Sequence, residues 1–214
     1  MRQRLCYTII GLGMLFGVSG TALADFVYTM DTNNIAVPGP TGTATVHLDD
    51  STHAIVTFVA NTALNYFFLD GGTVAVNVNA TTWALGTIAG NSVSGTYSDG
   101  GAGNEDGFGS FNQTINSPNA GPNNRSSMVV LSLINTSGTW ANDMLVLIGN
   151  ASGSAVAAHI GVCPTGPQGD CTVTGFTIDS DGGREQQVPE PGMLGLLAMG
   201  MMASGVVITR RRRV

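Results

Sequence analysis

The sequence contains no lysine, and only 10 % of its residues are charged. A chain without lysine has no P-loop and no Schiff-base nucleophile. All eight basic residues are arginines. Arg2 and Arg4 stand near the start and Arg210, Arg211, Arg212 and Arg213 at the end, which leaves Arg125 and Arg184 for everything between. All fourteen carboxylates lie from Asp25 to Glu190. A body of that balance has no cationic surface for phosphates, so nucleic acid is excluded as a partner. It repels anionic membranes and tolerates divalent cations, and its solubility rests on Asn, Ser, Thr and Gly. Catalytic signatures are also missing. There is no His-Glu-x-x-His and no Gly-x-Ser-x-Gly, and His47, His53 and His159 are the only imidazoles. No nucleophile is placed beside a base by spacing, so the body reads as non-catalytic.

Met1 to Ala24 has the build of a secretory signal peptide. Arg2 and Arg4 form the positive end, Leu5 to Val18 is apolar, and Ala22-Leu23-Ala24 gives the small-x-small pattern for cleavage before Asp25. The Sec machinery and signal peptidase are the implied partners. Cleavage removes Cys6 and leaves Cys163 and Cys171. Outside the cytoplasm these two are expected to form a disulfide closing a small loop between strands. A catalytic thiol or a metal pair is the alternative, with His159 the nearest imidazole.

Roughly 165 residues lie between the two ends of the chain, enough for one domain with a core. Alternating Thr, Val, Ala and aromatic residues are broken by Gly, Asn, Asp and Pro, a β pattern with no long helix. Strands are expected at Phe26 to Met30, Thr43 to Leu48, His53 to Ala60, Leu64 to Leu69 and Thr73 to Asn79, with Val74, Val76 and Val78 facing one way. Others are expected at Trp83 to Ile88, Val93 to Tyr97, Phe108 to Ile115, Met144 to Ile148, Ala155 to Val162 and Thr172 to Ile178. Asp49 to Thr52 turns the second into the third as a hairpin. Met128 to Asn135 is the most continuous apolar run and reads as a central strand. About ten short strands at this spacing predict an all-β, antiparallel two-sheet sandwich of jelly-roll type.

Ser98 to Gly107 reads as a glycine- and acid-rich loop. Within it Asp99, Asn104, Glu105 and Asp106 supply the oxygen ligands that Ca²⁺ takes, although a single copy of such a segment fits a plain solvated loop more simply. No other cofactor is expected. His47 and His53 fall on facing strands of one hairpin. Trp83, Trp140, Tyr66, Phe67, Phe68 and Tyr97 would make a sugar-stacking platform if exposed, but in a sandwich such aromatics belong to the core.

The end of the chain has three parts in order. Val188-Pro189-Glu190-Pro191 is followed by an apolar run from Gly192 to Thr209 without a charge, then by Arg210 to Arg213. A helix over Met193 to Ile208 covers ~24 Å against ~30 Å of bilayer hydrocarbon, short for a permanent span. The arginines hold the cytoplasmic side, and the two prolines leave an extended, accessible outer edge. An ordinary single-pass anchor would share this spacing. The three parts together resemble the PEP-CTERM sorting signal of Gram-negative bacteria. That resemblance implies recognition of Pro189-Glu190-Pro191 by an exosortase, a membrane-embedded cysteine protease. In the body, Phe108-Gly109-Ser110-Phe111-Asn112, Gly138-Thr139-Trp140, Ala157-Ala158-His159-Ile160 and Gly175-Phe176 resemble small β-rich PEP-CTERM proteins with no assigned activity.

The expected organisation is a signal peptide (1–24), a β-sandwich body (25–179), a linker (180–187) and the sorting signal (188–214). The expected function is that of an exported, exosortase-processed protein of the cell surface or extracellular matrix. It would be held briefly in the inner membrane by the C-terminal helix. A carbohydrate-binding module for exopolysaccharide and a secreted hydrolase are the alternatives.

Overall fold

The computed structural model describes residues 25–92, 95–118 and 125–180. The expected signal peptide, the sorting tail and most of the linker lie outside the described residues.

Period-two alternation builds the first half of the fold. Strands β1 (Phe26–Asn33), β2 (Gly42–Leu48) and β3 (His53–Ala60) form an antiparallel meander. Phe26, Tyr28 and Met30 of β1 point inward with Ala44, Val46 and Leu48 of β2 and Ala54, Val56 and Phe58 of β3. The register matches large to small: Tyr28 lies opposite Ala44, and Ala44 opposite Phe58. Two bulky rings therefore share the space above one methyl group, as a close-packed interior requires. Met30 faces Gly42, where a β-carbon would come within 2.9 Å of the Met30 Cε and 2.6 Å of the Val59 carbonyl. In the turn before β3, the Asp50 carboxylate accepts from the N–H groups of Thr52 and His53 and from the Thr52 hydroxyl. Those donors hold the Asp50 carboxyl well below the usual range.

The sheet continues through β9 (Met128–Asn135) to β6 (Trp83–Gly90) on one side. On the other side β1 pairs with β11 (Val173–Asp179), and β11 with β10 (Val156–Val162). β10 then pairs with β4 (Tyr66–Phe68) and β5 (Val74–Val76). β8 (Gly109–Asn116) and β7 (Ser98–Glu105) complete it. All the pairings are antiparallel and belong to one continuous sheet of eleven strands, with β6 and β7 at its ends. The sheet curls nearly closed, so its two halves face each other across a shared core. Phe58 of β3 meets Phe68 of β4 edge to face at 6.3 Å, and the Trp83 indole N–H donates to Gln113 Oε1 at 3.2 Å, joining β6 to β8.

The all-β antiparallel expectation therefore matches the architecture, but the strands hydrogen-bond into one sheet rather than two separate ones. The reason is β11, which uses both of its edges and leaves no break between the halves. Val74, Val76 and Val78 do share the core face. Other segments depart from expectation. β9 lies between β3 and β6, yet only alternate residues, Val129, Leu131 and Leu133, are buried, because one of its faces is left uncovered. Residues 62–64 form a 3₁₀ turn and Asn65 takes a positive φ of 61°, so β4 starts only at Tyr66. The expected strand at Met144 to Ile148 gives way to a 3₁₀ turn over Asp143–Leu145, capped by the Asn142 side chain, which accepts from Leu145 N–H. Gly95 to Tyr97 is not in a strand, and Val93 lies outside the described residues.

The largest departure is β7. Ser98 to Glu105 is an edge strand, where a loop is expected from its glycines. A β-carbon at Gly100 or Gly103 would fall 2.3 or 2.6 Å from the Thr114 side chain of β8. These glycines let two strands approach across a bulky threonine; they are not turn residues.

Candidate functional site

Pairing strands β10 and β11 brings Cys163 and Cys171 together, and they form a disulfide with Cα atoms 4.0 Å apart. Cys163 is fully buried. Closing so short a loop is worth about 2.5 kcal/mol through the entropy of the unfolded chain. We predict that alkylation of the exported protein without prior reduction labels neither thiol, and that replacing both cysteines with serine lowers stability by about that amount in urea titration. Free thiols at both positions would contradict the assignment.

The four residues considered as Ca²⁺ ligands do not converge. Asp99 is exposed on β7 and accepts from Gly101 N–H and the Gln113 amide. Asn104 and Asp106 are exposed. Glu105 turns inward: it is 2 % exposed, its Oε2 has no hydrogen-bond partner, and its carboxylate crowds Gly72, where a β-carbon would lie 2.7 Å from Oε1. Burial pushes its carboxyl up to about 7. The extended strand and its register shifts after Asp99 and Gly101 separate these side chains, which a flexible loop would have allowed to gather.

The aromatic residues are mostly internal. Tyr66, Phe67, Phe68 and Trp140 are buried, and Trp83 and Tyr97 pack partly buried against the core. Tyr66 donates its hydroxyl to the Pro38 carbonyl and Trp140 its indole N–H to the Asn79 carbonyl. The four buried rings offer no stacking face to a sugar.

Each histidine has a separate set of partners. His159 stacks on Phe176 at 4.6 Å and bonds through Nδ1 to the Asp70 carbonyl. His53 Nδ1 meets both the Asp50 carboxylate and the Thr52 hydroxyl. Both contacts fall on the same ring nitrogen, so this is a closed turn. A relay of the hydrolase kind would need the hydroxyl and the carboxylate on opposite nitrogens. A shallow, open depression lined by Pro40, Gly42, Thr43, Val59, Ala60 and Asn61 carries no titratable side chain.

His47 is different. Its Nδ1 lies 2.6 Å from Asp25 Oδ1, and its Nε2 lies 3.4 Å from Asp49 Oδ1. The hydrogen bond to Asp25 is the main reason its imidazole titrates above the usual range. Asp143 joins from the 3₁₀ turn, and burial pushes its carboxyl up. Asp25, His47 and Asp143 each offer a ligand atom within 4.8 Å of the other two. The β1–β2 register, with Phe26 opposite Val46, places Asp25 beside His47 and could have been read from the strand pattern. Nothing in the sequence signals Asp143, which arrives from a distant turn just before the strand expected at Met144 to Ile148.

Residues 187–213 match the family model of the PEP-CTERM protein-sorting motif. The match begins one residue before Val188 and takes in the proline-glutamate triplet, the apolar run and the four arginines. The chain thus carries a PEP-CTERM protein-sorting motif, a signal that implies export and processing by an exosortase. No curated protein and no solved structure matches the chain.

Proposed function

We propose that this is an exported, exosortase-processed protein of the cell surface or extracellular matrix whose β body acts by presence and packing, without catalysis. The observation that carries the reading is the sorting motif over residues 187–213. Supporting it are the acidic, lysine-free body, the disulfide between Cys163 and Cys171, and histidines tied into turn and strand contacts. A disulfide of this kind persists in an oxidising compartment, which fits a protein that works outside the cell.

Intact-mass and terminal-peptide analysis of the exported protein tests the proposal. The expected product begins at Asp25 and lacks the apolar run and arginine cluster. A surface protein that retains Arg210 to Arg213 would show that the tail is a permanent anchor, and one that retains Met1 would remove the signal peptide from the account.

A further inference from the structure

We infer that Asp25, His47 and Asp143 form a binding site for one divalent transition-metal ion of the Zn²⁺ class, with Asp49 orienting the imidazole from behind. The three ligand atoms lie within 4.8 Å of one another and comprise one imidazole nitrogen and two carboxylate oxygens. That mixed nitrogen and oxygen set suits a borderline metal better than Ca²⁺ or Mg²⁺, which take oxygen alone.

Three features separate this cluster from ordinary surface acids. First, Asp143 is 3 % exposed. Among the described residues, Leu48 N–H is the one donor from elsewhere in the chain to its carboxylate, and it binds Oδ1. A bound cation would offset the cost of burying this carboxylate. Second, His47 has its two nitrogens divided. Nδ1 faces Asp25 and Nε2 faces Asp49. A metal held through one nitrogen while a carboxylate takes the N–H of the other is the arrangement that fixes the tautomer and orientation of a ligating histidine. Third, the charge is uncompensated. Asp25, Asp49 and Asp143 converge on a single imidazole, and the one arginine among the described residues, Arg125, is buried under a different part of the fold, next to the Phe68–Ser126 bridge. A dication would become the largest local charge and would balance the carboxylates with the imidazole neutral.

The geometric demand is small. Tetrahedral Zn²⁺ with bonds near 2.1 Å needs ligand atoms roughly 3.4 Å apart. Asp25 and His47, 2.6 Å apart, must open slightly, and both side chains are partly exposed, at 40 and 46 %.

The exported mature protein, stripped with a chelator and titrated with Zn²⁺ by calorimetry, tests the site. Wild type is expected to bind one ion per chain and to gain melting temperature on binding. Three variants decide whether the ion sits here. His47→Gln should weaken binding at least tenfold and abolish the thermal gain. Asp49→Asn should weaken it by about tenfold although Asp49 does not touch the metal. His53→Gln, which disturbs the neighbouring His–Asp pair, should change neither. His47 is exposed, so its variant folds and reports binding alone; its circular dichroism should match wild type. Absence of stoichiometric binding in wild type would overturn the proposal, as would equal loss in His47→Gln and His53→Gln.

Discussion

Replacing Pro189, Glu190 and Pro191 with alanine is expected to leave the chain uncut and held in the inner membrane, with processing falling from nearly complete to nearly none. The triplet lies inside the segment matched by the sorting motif but outside the apolar run. Insertion depends on that run and on the arginines, which are untouched, so the variant should still thread and stop in the membrane. What changes is the segment presented to the protease. Proline does not extend a helix backwards, whereas alanine favours it, so the substitution is expected to let helix form through the recognition point. Neutralising Arg210 to Arg213 makes the complementary case. If the apolar run forms the expected helix, ~24 Å against ~30 Å of hydrocarbon, loss of the arginine charges should let it slip outward before cleavage. Fractionation and blotting of both variants separate these outcomes. Normal size and normal destination for the alanine triplet would refute exosortase recognition and leave a plain anchor.

The second large effect concerns Glu105 and depends on pH. Its carboxyl titrates at about 7 in the folded protein, against an ordinary value of 4.5. The folded state therefore binds this proton more tightly than the unfolded state between those two values. Stability falls as pH rises through the interval: the cost of the buried charge is absent below about pH 4.5 and fully present above pH 7. An interval of about 2.5 pH units corresponds to ~3 kcal/mol. Glu105→Gln keeps the shape and removes the charge. We expect it to exceed wild type by about 3 kcal/mol at pH 8 and to show almost none of that advantage at pH 4.5, measured by urea unfolding at both values. Any fixed cost of burying the amide is the same at both values and drops out of the comparison. A difference between the two proteins that did not change with pH would show that Glu105 is not held as a buried acid.

The parts of this protein that were legible in its sequence are those governed by short periods and fixed order. His53 to Ala60 and Met128 to Asn135 fold over the expected bounds because each is a short run of β-branched and apolar residues closed by turn residues. The sorting tail is legible for a similar reason: proline, apolar length and arginine follow one another along the chain, and no tertiary structure is needed to see them. Legibility fails where partners are remote. The glycines of β7 look like loop residues until Thr114 is known to lie across from them. Met144 to Ile148 is apolar enough for a strand, but the Asn142 cap turns it into a helical turn and delivers Asp143 to His47. The acidic segment that seemed suited to Ca²⁺ disperses once the irregular register of β7 leaves Asp99 outside and Glu105 inside, with Asp106 exposed just beyond the strand.

The place of β11 in the sheet also sets an order of events for a chain exported N-terminus first. β1 emerges early and can pair at once with β2, but its other edge is reserved for a strand that ends at Asp179. Until nearly the whole body has crossed, that edge stays open to any passing chain. The sheet's two halves cannot become one before then, and the β10–β11 loop carrying Cys163 and Cys171 is among the last parts to arrive. Such late, long-range closure is slow. A tail that keeps the chain tethered until the protease acts gives the body time to seal its seam before it is released among its own copies.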